Sequence, residues 1–261
     1  MSRVSVHGRR YLVTGASSGI GAALARLLAS RGATVGVVAR RADRLEALAS
    51  SFAPGRVVPL PADLTDPEEA RRVVEAFGKD GLHGVVNNAG ASMNARFDEA
   101  ALSVFHDMMA VNYFASLYVA RYARPFLERT GGSLVFVSSV VGKRGMPTRS
   151  GYSAAKFAVH ALFESLRVEW ADTGIHVGIV APGYVDTDIR QHALGADGQA
   201  RGDAGFTAGR VMTAEQAAAA IFDTMVRRKR EVILTPGGKA MVWLNHFAPH
   251  LADRLAARVV R

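Results

Sequence analysis

Alternation constrains this chain more than any other feature. From residue 10 onward, short β-branched or apolar runs alternate with longer Ala-, Leu- and Arg-rich stretches of helical period. Arg10-Tyr11-Leu12-Val13-Thr14 leads into a helix-like stretch from Ile20 to Ser30. Further strand-like runs occur at Thr34 to Ala39, Arg56 to Leu60, Gly84 to Asn87, Ser133 to Ser138, His176 to Ala181 and Glu231 to Thr235. The spacing between them predicts helices over Ala42 to Ser51, Pro67 to Phe77, a long pair from Asp98 to Arg129, and Ser150 to Thr173. Runs that are apolar at successive positions are buried on both faces, and strands joined through helices pair in parallel. The expected fold is α/β: a doubly wound parallel sheet of about seven strands with helices on both faces.

A chain of 261 residues with 49% hydrophobic content can bury one large core, so residues 1–236 are expected to form a single domain. From Thr187 to Thr213 the periodicity fails, and Gly195, Gly198, Gly202, Gly205 and Gly209 punctuate a polar stretch. Residues 188–212 are expected to be a mobile loop over a site, with a disordered surface insertion as the other reading. The chain has no cysteine, which removes disulfides, thiolate zinc sites and thiol nucleophiles. Its eight histidines are scattered and form no HxH pair, so no metal site is expected. The first twenty residues lack a signal-peptide run and no window reaches a spanning length, so a cytoplasmic location is expected. The net charge of +9 admits nucleic acid, an anionic membrane or a phosphorylated ligand. Nucleic acid is disfavoured because the basic run Arg227-Arg228-Lys229-Arg230 has no stacking aromatic beside it.

Thr14-Gly15-Ala16-Ser17-Ser18-Gly19-Ile20-Gly21 links the first strand to the first helix. Glycines there permit a tight turn and close approach to a phosphate, and the helix N-terminus offers free N–H groups. The spacing is GxxxGxG rather than GxGxxG, so the turn alone is compatible with a structural role, and its strand-to-helix position favours a nucleotide. About twenty residues on, where a carboxylate would select NAD(H) through the ribose hydroxyls, the chain carries Arg40 and Arg41. Arg40 can pair with a 2′-phosphate, with Ser17 or Arg41 assisting, which points to NADP(H); a solvated helix start is the alternative. Asp63-Leu64 after the third strand offers a carboxylate to an adenine amino group, whereas Asp66 before Pro67 reads as a helix cap. Asn88-Ala89-Gly90 after the fourth strand leaves room for a ribose, or its asparagine ties strand ends together.

Tyr152 and Lys156 stand four apart at the start of a long helix, hence on one face. An ammonium beside a phenol should lower the phenol's pKa and fit it for proton transfer. Ser139 at the end of the fifth strand can reach the same phenol, and Asn112 lies inside a helical stretch that gives asparagine little local benefit.

Taken with Pro182-Gly183-(x3)-Thr187, these motifs resemble the short-chain dehydrogenase/reductase family over roughly residues 8–235. The resemblance implies a Rossmann-type sheet and a catalytic tetrad Asn112, Ser139, Tyr152 and Lys156. Ser139 would orient a carbonyl, Tyr152 would act as general acid/base, Lys156 would hold the nicotinamide ribose, and Asn112 would anchor a water. It also implies cofactor contacts at Gly15, Ser17, Ser18, Gly19, Ile20, Gly21, Arg40, Arg41, Asp63, Leu64, Asn88, Ala89, Gly90, Tyr152, Lys156, Pro182, Gly183, Val185 and Thr187.

The residues expected around a substrate include Ser92, Met93, Val141, Met146, Tyr184 and Met212, which are mostly apolar with no fixed cation at the reaction centre. A hydrophobic ketone, aldehyde or secondary alcohol fits such a wall. Arg144, Arg149 and Arg190 instead leave open a negatively charged carrier, as in 3-oxoacyl thioester reduction, and a non-catalytic NADPH-sensing protein is a further alternative. Tyr118, Tyr122, Phe126, Phe163 and Trp170 widen the apolar faces of the long helices, and relatives of this kind pair such helices into homodimers or homotetramers. Residues 237–261 read as an amphipathic helical extension broken at Pro249. Its apolar stripe of Met241, Val242, Trp243, Leu244, Phe247, Leu251, Leu255 and Val259 is expected to be covered by a partner, the substrate cleft or a membrane, with His246, His250, Arg254 and Arg258 on the opposite face.

Overall fold

A computed structural model describes residues 5–201 and 211–258. Seven strands form one sheet in the order β3-β2-β1-β4-β5-β6-β7, and every neighbouring pair is parallel. In chain order these are β1 (Arg10–Thr14), β2 (Thr34–Ala39), β3 (Val57–Pro61), β4 (Gly84–Asn87), β5 (Ser133–Val137), β6 (His176–Ala181) and β7 (Glu231–Ile233). The order reverses between β1 and β4, which opens a crevice at the carboxyl ends of the strands.

Successive side chains of a strand point to opposite faces, and the core divides accordingly. On one face Tyr11 and Val13 pack with Leu24 and Leu28 of α1 (Gly19–Ser30), Leu45 of α2 (Ala42–Ala49), and Ile221 of α7 (Ala214–Val226). On the other, Leu12 joins Phe77 of α3 (Pro67–Gly78), Val119 and Leu127 of α5 (Ala115–Thr130), and Phe163 of α6 (Ser150–Glu169). The expected doubly wound fold is present.

Differences from the sequence reading lie in the connections. The stretch from Asp98 begins its helix only at α4 (Leu102–Met109), and α4 runs into α5 through a π-helical turn over Ala110–Phe114. Helix α6 stops at Glu169 and a 3-10 turn covers Ala171–Thr173. Helix α7 fills the span between the expected loop and the last strand, where the sequence reading places no element. Its signal is the capping box of Thr213 and Gln216, which bond to each other's backbone N–H groups. Phe163 and Trp170 are buried within the single chain, so they need no partner; Leu102, Phe114, Phe157 and Val168 of those helices are exposed. Of the glycine-punctuated segment, residues 202–210 lie outside the described residues. Its near flank is fastened: the Leu194 N–H donates to Ser92 O at 2.9 Å and the Asn94 N–H to Leu194 O at 2.8 Å. The tail forms α8 (Pro236–Phe247) and α9 (Pro249–Ala257), and among the described residues no helix is long and apolar enough to cross a membrane.

Candidate active site at the carboxyl edge of the sheet

The turn after β1 is built to let backbones approach. Gly15 and Gly19 have φ of 65° and 53°, a left-handed conformation that side chains rarely adopt. A Cβ on Gly21 would lie 2.4 Å from Gly15 O, and one on Gly19 would lie 2.9 Å from Thr187 Cγ2. Thr187 therefore sits directly on the start of α1. Ser18, the N-cap, makes no side-chain cap bond, so the first N–H groups of α1 face the crevice without an internal acceptor from that side chain. Ile20 is half-buried against the core.

The two arginines after β2 separate. Arg41 donates from Nη2 to Ser17 Oγ at 2.8 Å and to Ser18 Oγ at 3.1 Å, while Arg40 is exposed. The expectation made Arg40 primary and Arg41 accessory; the guanidinium fixed over the glycine turn is Arg41. Asp66 caps α3 by accepting from the Glu68 N–H at 2.8 Å, as its position before Pro67 predicted. Asp63 is half-buried and accepts from the Thr65 N–H and hydroxyl through Oδ1, and Leu64 is buried. Asn88 takes the structural role left open for it, donating from Nδ2 to Thr14 O at 3.0 Å and Gly15 O at 3.2 Å. The Thr14 hydroxyl oxygen accepts from the N–H groups of Asn88 and Ala89, both at 3.0 Å. These bonds hold the ends of β1 and β4 together beneath the crevice.

Four polar side chains from three elements meet beyond Gly90. Asn112 is fully buried in the π-turn, and its Nδ2 donates to Ala91 O at 3.1 Å and Met108 O at 3.0 Å. Its Oδ1 has no partner. A Cβ on Gly90 would lie 2.7 Å from that oxygen and 3.5 Å from Lys156 Nζ, so the missing side chain leaves a gap flanked by both. Lys156 donates to Val137 O at 3.2 Å and lies 4.9 Å from the Phe136 ring centroid. Burial away from water pushes its pKa down to about 7. Ser139 is the N-cap of a 3-10 turn over Val140–Gly142, where its Oγ accepts from the Val141 N–H at 3.4 Å. The Tyr152 phenol is hydrogen-bonded to Ser139.

The electrostatics differ from the sequence expectation in one respect. Burial raises the Tyr152 pKa, opposed by the Ser139 hydrogen bond and the Arg149 charge. The expected lowering by Lys156 does not dominate, because burial destabilises that ammonium itself. The phenol thus keeps its proton at neutral pH. Arg149, three residues before Tyr152, also corrects the expectation of a wall without a fixed cation: its Nη1 donates to Ser92 Oγ at 2.8 Å and to Met93 O at 3.4 Å.

The remaining expected substrate residues surround this group unevenly. Met93 is fully buried in a small cluster with Met108 and Ala155, against which Tyr152 packs. Val185 is buried and bridges Met212, while Tyr184 lies under the Arg190 guanidinium at 5.5 Å. Met146 donates its N–H to Ser153 Oγ at 3.3 Å, and Val141 is half-buried. Gly183 permits close packing, since a Cβ there would lie 2.5 Å from Thr235 Oγ1, just after Pro182. One clasp had no sequence signal: Arg44 of α2 pairs with Asp188 at 3.3 Å, two residues separated by 144 positions.

His160, one turn beyond Lys156 on α6, clusters with Glu164 and Glu231, with ligand atoms within 4.8 Å of one another. Lys143 Nζ pairs with Glu231 at 3.0 Å, while burial lowers the His160 pKa and neither of its buried ring nitrogens has a hydrogen-bond partner.

Comparison with known proteins follows the same lines. The short chain dehydrogenase family profile matches residues 9–197. A dehydrogenase/reductase SDR family protein 7-like of Drosophila melanogaster is 33% identical over 261 residues, covering 95% of this chain and 79% of that protein. A short chain dehydrogenase of Burkholderia cenocepacia, solved in complex with NADP, superposes with a TM-score of 0.82 at 26% identity, covering 99% of this chain and 100% of that one. A short chain dehydrogenase/reductase of Burkholderia phymatum, solved with NAD, gives 0.83 at 21% identity over 95% and 96% of the two chains, a likeness of fold alone.

Proposed function

Since the chain belongs to the short-chain dehydrogenase/reductase family, whose members use a nicotinamide cofactor, we propose that it is an NADP(H)-dependent oxidoreductase acting on a hydrophobic carbonyl or secondary alcohol. The carrying observation is Tyr152: a half-buried phenol bonded to Ser139, with a pKa raised by burial, on the same helical face as Lys156. When bound, nicotinamide supplies or accepts the hydride. Tyr152 donates a proton to the carbonyl oxygen, or takes it from an alcohol in the reverse direction. Ser139 orients that oxygen beside the phenol, and two hydroxyl donors converging there stabilise the charge that develops on it. Lys156, in its protonated state, holds the ribose and returns a proton towards Tyr152. The unpartnered Asn112 Oδ1, one gap away from the Lys156 ammonium, fits a water that carries protons onward.

The glycine turn, the open start of α1 and Thr187 fit a pyrophosphate, and Arg41 on Ser17 and Ser18 fits a 2′-phosphate. Related structures hold NADP in one case and NAD in another, so cofactor choice rests on these arginines. The hydrophobic substrate reading draws on the fate of the cations expected to steer a charged carrier. Arg144 is paired with Asp253 at 2.6 Å and Arg190 covers Tyr184, while Arg149, tied to the neutral Ser92, is the feature that favours the charged-carrier alternative.

The test is an NADPH-consumption screen over aldehydes, aliphatic and cyclic ketones, steroids and 3-oxoacyl thioesters, with NADH run in parallel. Tyr152→Phe should lower turnover by about a hundredfold or more while leaving NADPH Kd within a few-fold. Turnover that survives this change would overturn the assignment of Tyr152, and NADPH binding with no turnover of any carbonyl would favour a sensor.

A further inference from the structure

The described tail is a helical hairpin whose exposed surface does not match the sequence expectation of apolar and basic residues on opposite faces. Met241, Val242, Leu244 and Leu255 are half-buried, and Ala252 and Ala256 are buried, so this part of the stripe is already covered by the chain itself. Trp243, Phe247 and Leu251 remain 64%, 69% and 47% exposed. They follow one another at a spacing of four residues across the α8–α9 corner, and the Trp243 and Phe247 rings stack at 5.2 Å. Lys239, His246, His250, Arg254 and Arg258 are exposed around them. The one carboxylate of residues 236–258, Asp253, is paired with Arg144 at 2.6 Å. An aromatic patch thus lies within a surface of uncompensated positive charge.

We propose that this face of the hairpin docks on an anionic lipid bilayer. Its charge argues against a second copy as the cover. A two-fold contact would set the patch against itself and bring like charges together. Helices of 12 and 9 residues reach roughly 18 and 14 Å, against a hydrocarbon core of about 30 Å, so they lie in the interface rather than cross it. Trp and Phe then enter the headgroup boundary while Lys and Arg meet anionic headgroups, the pattern of an interfacial helix. The hairpin also borders the cleft. A Cβ on Gly238 would lie 2.6 Å from Val140 Cγ2, and the Arg144–Asp253 pair joins α9 to the segment after Ser139. Docking would therefore bring a rim of the candidate active site to the lipid surface, although lipid binding itself does not depend on the catalytic reading.

The chain carries its own probe, because it has two tryptophans and Trp170 is buried. The full-length protein is titrated with vesicles of phosphatidylcholine alone and of phosphatidylcholine with phosphatidylglycerol, at low and high salt, following tryptophan emission and co-sedimentation. The expected result is a blue shift and sedimentation with the anionic vesicles, weakened by salt. Phe247→Ser with Leu251→Ser should reduce partitioning by about tenfold or more, and Arg254→Glu with Arg258→Glu should remove the anionic preference. Circular dichroism and light scattering on each variant report fold and mass. Unchanged emission with every vesicle overturns the proposal, as does loss of oligomer mass in the Phe247/Leu251 variant without lipid binding by the parent, which assigns the patch to a second copy. Unaltered lipid partitioning in both folded variants also overturns it.

Discussion

Lys156 concentrates a conflict between reactivity and stability in one side chain. Its pKa falls from the ordinary 10.5 of a solvated lysine to about 7 in the fold, so the folded protein disfavours its charged form. The stability associated with a neutral lysine is fully present above the unfolded pKa and is lost as pH falls towards 7, below which the buried charge carries its whole cost. Lys156→Met should therefore stabilise the cofactor-free protein at pH 6 by about 1 kcal/mol or more, less at pH 10, while destroying activity. Urea melts at both pH values check this, and equal shifts at the two would contradict the burial argument. Arg41 makes a second residue-scale prediction. A charge-assisted contact to phosphate contributes about 1.5–3 kcal/mol, so Arg41→Ala should reduce the preference for NADPH over NADH by tenfold or more, and Arg40→Ala should do so less. Fluorescence titration of both cofactors against both variants decides between the two arginines.

At the scale of elements, the site depends on two irregular junctions. The π-turn between α4 and α5 sets Asn112 in the interior with its amide nitrogen bonded to Ala91 O and its oxygen left free. The glycine turn between β1 and α1 brings the helix start down on the strand end so closely that Gly21 faces Gly15 O. Gly21→Ala should force these apart, lowering stability by about 1–3 kcal/mol and weakening cofactor binding together. Differential scanning calorimetry and a cofactor titration measure the two losses; an alanine variant with parental melting temperature and Kd would show that the turn relaxes without cost. Gly15-(x3)-Gly19 was readable because left-handed backbone demands glycine, whereas the π-turn was not, since an extra residue shows in the sequence only as a change of phase in the apolar pattern of Asp98 to Arg129.

Across the whole molecule, three histidines withdrawn from water contribute to the response to acid. His176 opens β6, where its Nε2 donates to Lys229 O at 2.9 Å and Nδ1 faces Ser133 Oγ at 3.2 Å. Burial lowers its pKa from 6.5 to about 4, and burial also lowers those of His83 and His160. Each contributes stability that is present above the unfolded value of 6.5 and is lost as pH falls towards the folded one. For His176 the loss between pH 6.5 and 4 is at most about 3 kcal/mol. Urea midpoints should therefore drop steeply over that range, and His176→Gln should flatten part of the drop. A variant with the parental pH dependence would remove His176 from the cause.

By itself the sequence determined the class of fold and most of its strands and helices, and it singled out Asn112, Ser139, Tyr152 and Lys156 as candidates at the carboxyl edge. Period, glycine placement and the four-residue step from Tyr152 to Lys156 are local properties, carried by the backbone geometry of each element. Tertiary structure alone decided how those groups behave. Whether Arg40 or Arg41 covers the turn depends on the direction in which β2 delivers each side chain. The Tyr152 pKa depends on how much water the surrounding elements exclude, and the clasp between Arg44 and Asp188 joins segments far apart in the chain. The exposed patch of Trp243, Phe247 and Leu251 emerged only once the rest of the tail's apolar stripe had been buried. Burial and long-range contact are sums over neighbours that no single segment contains.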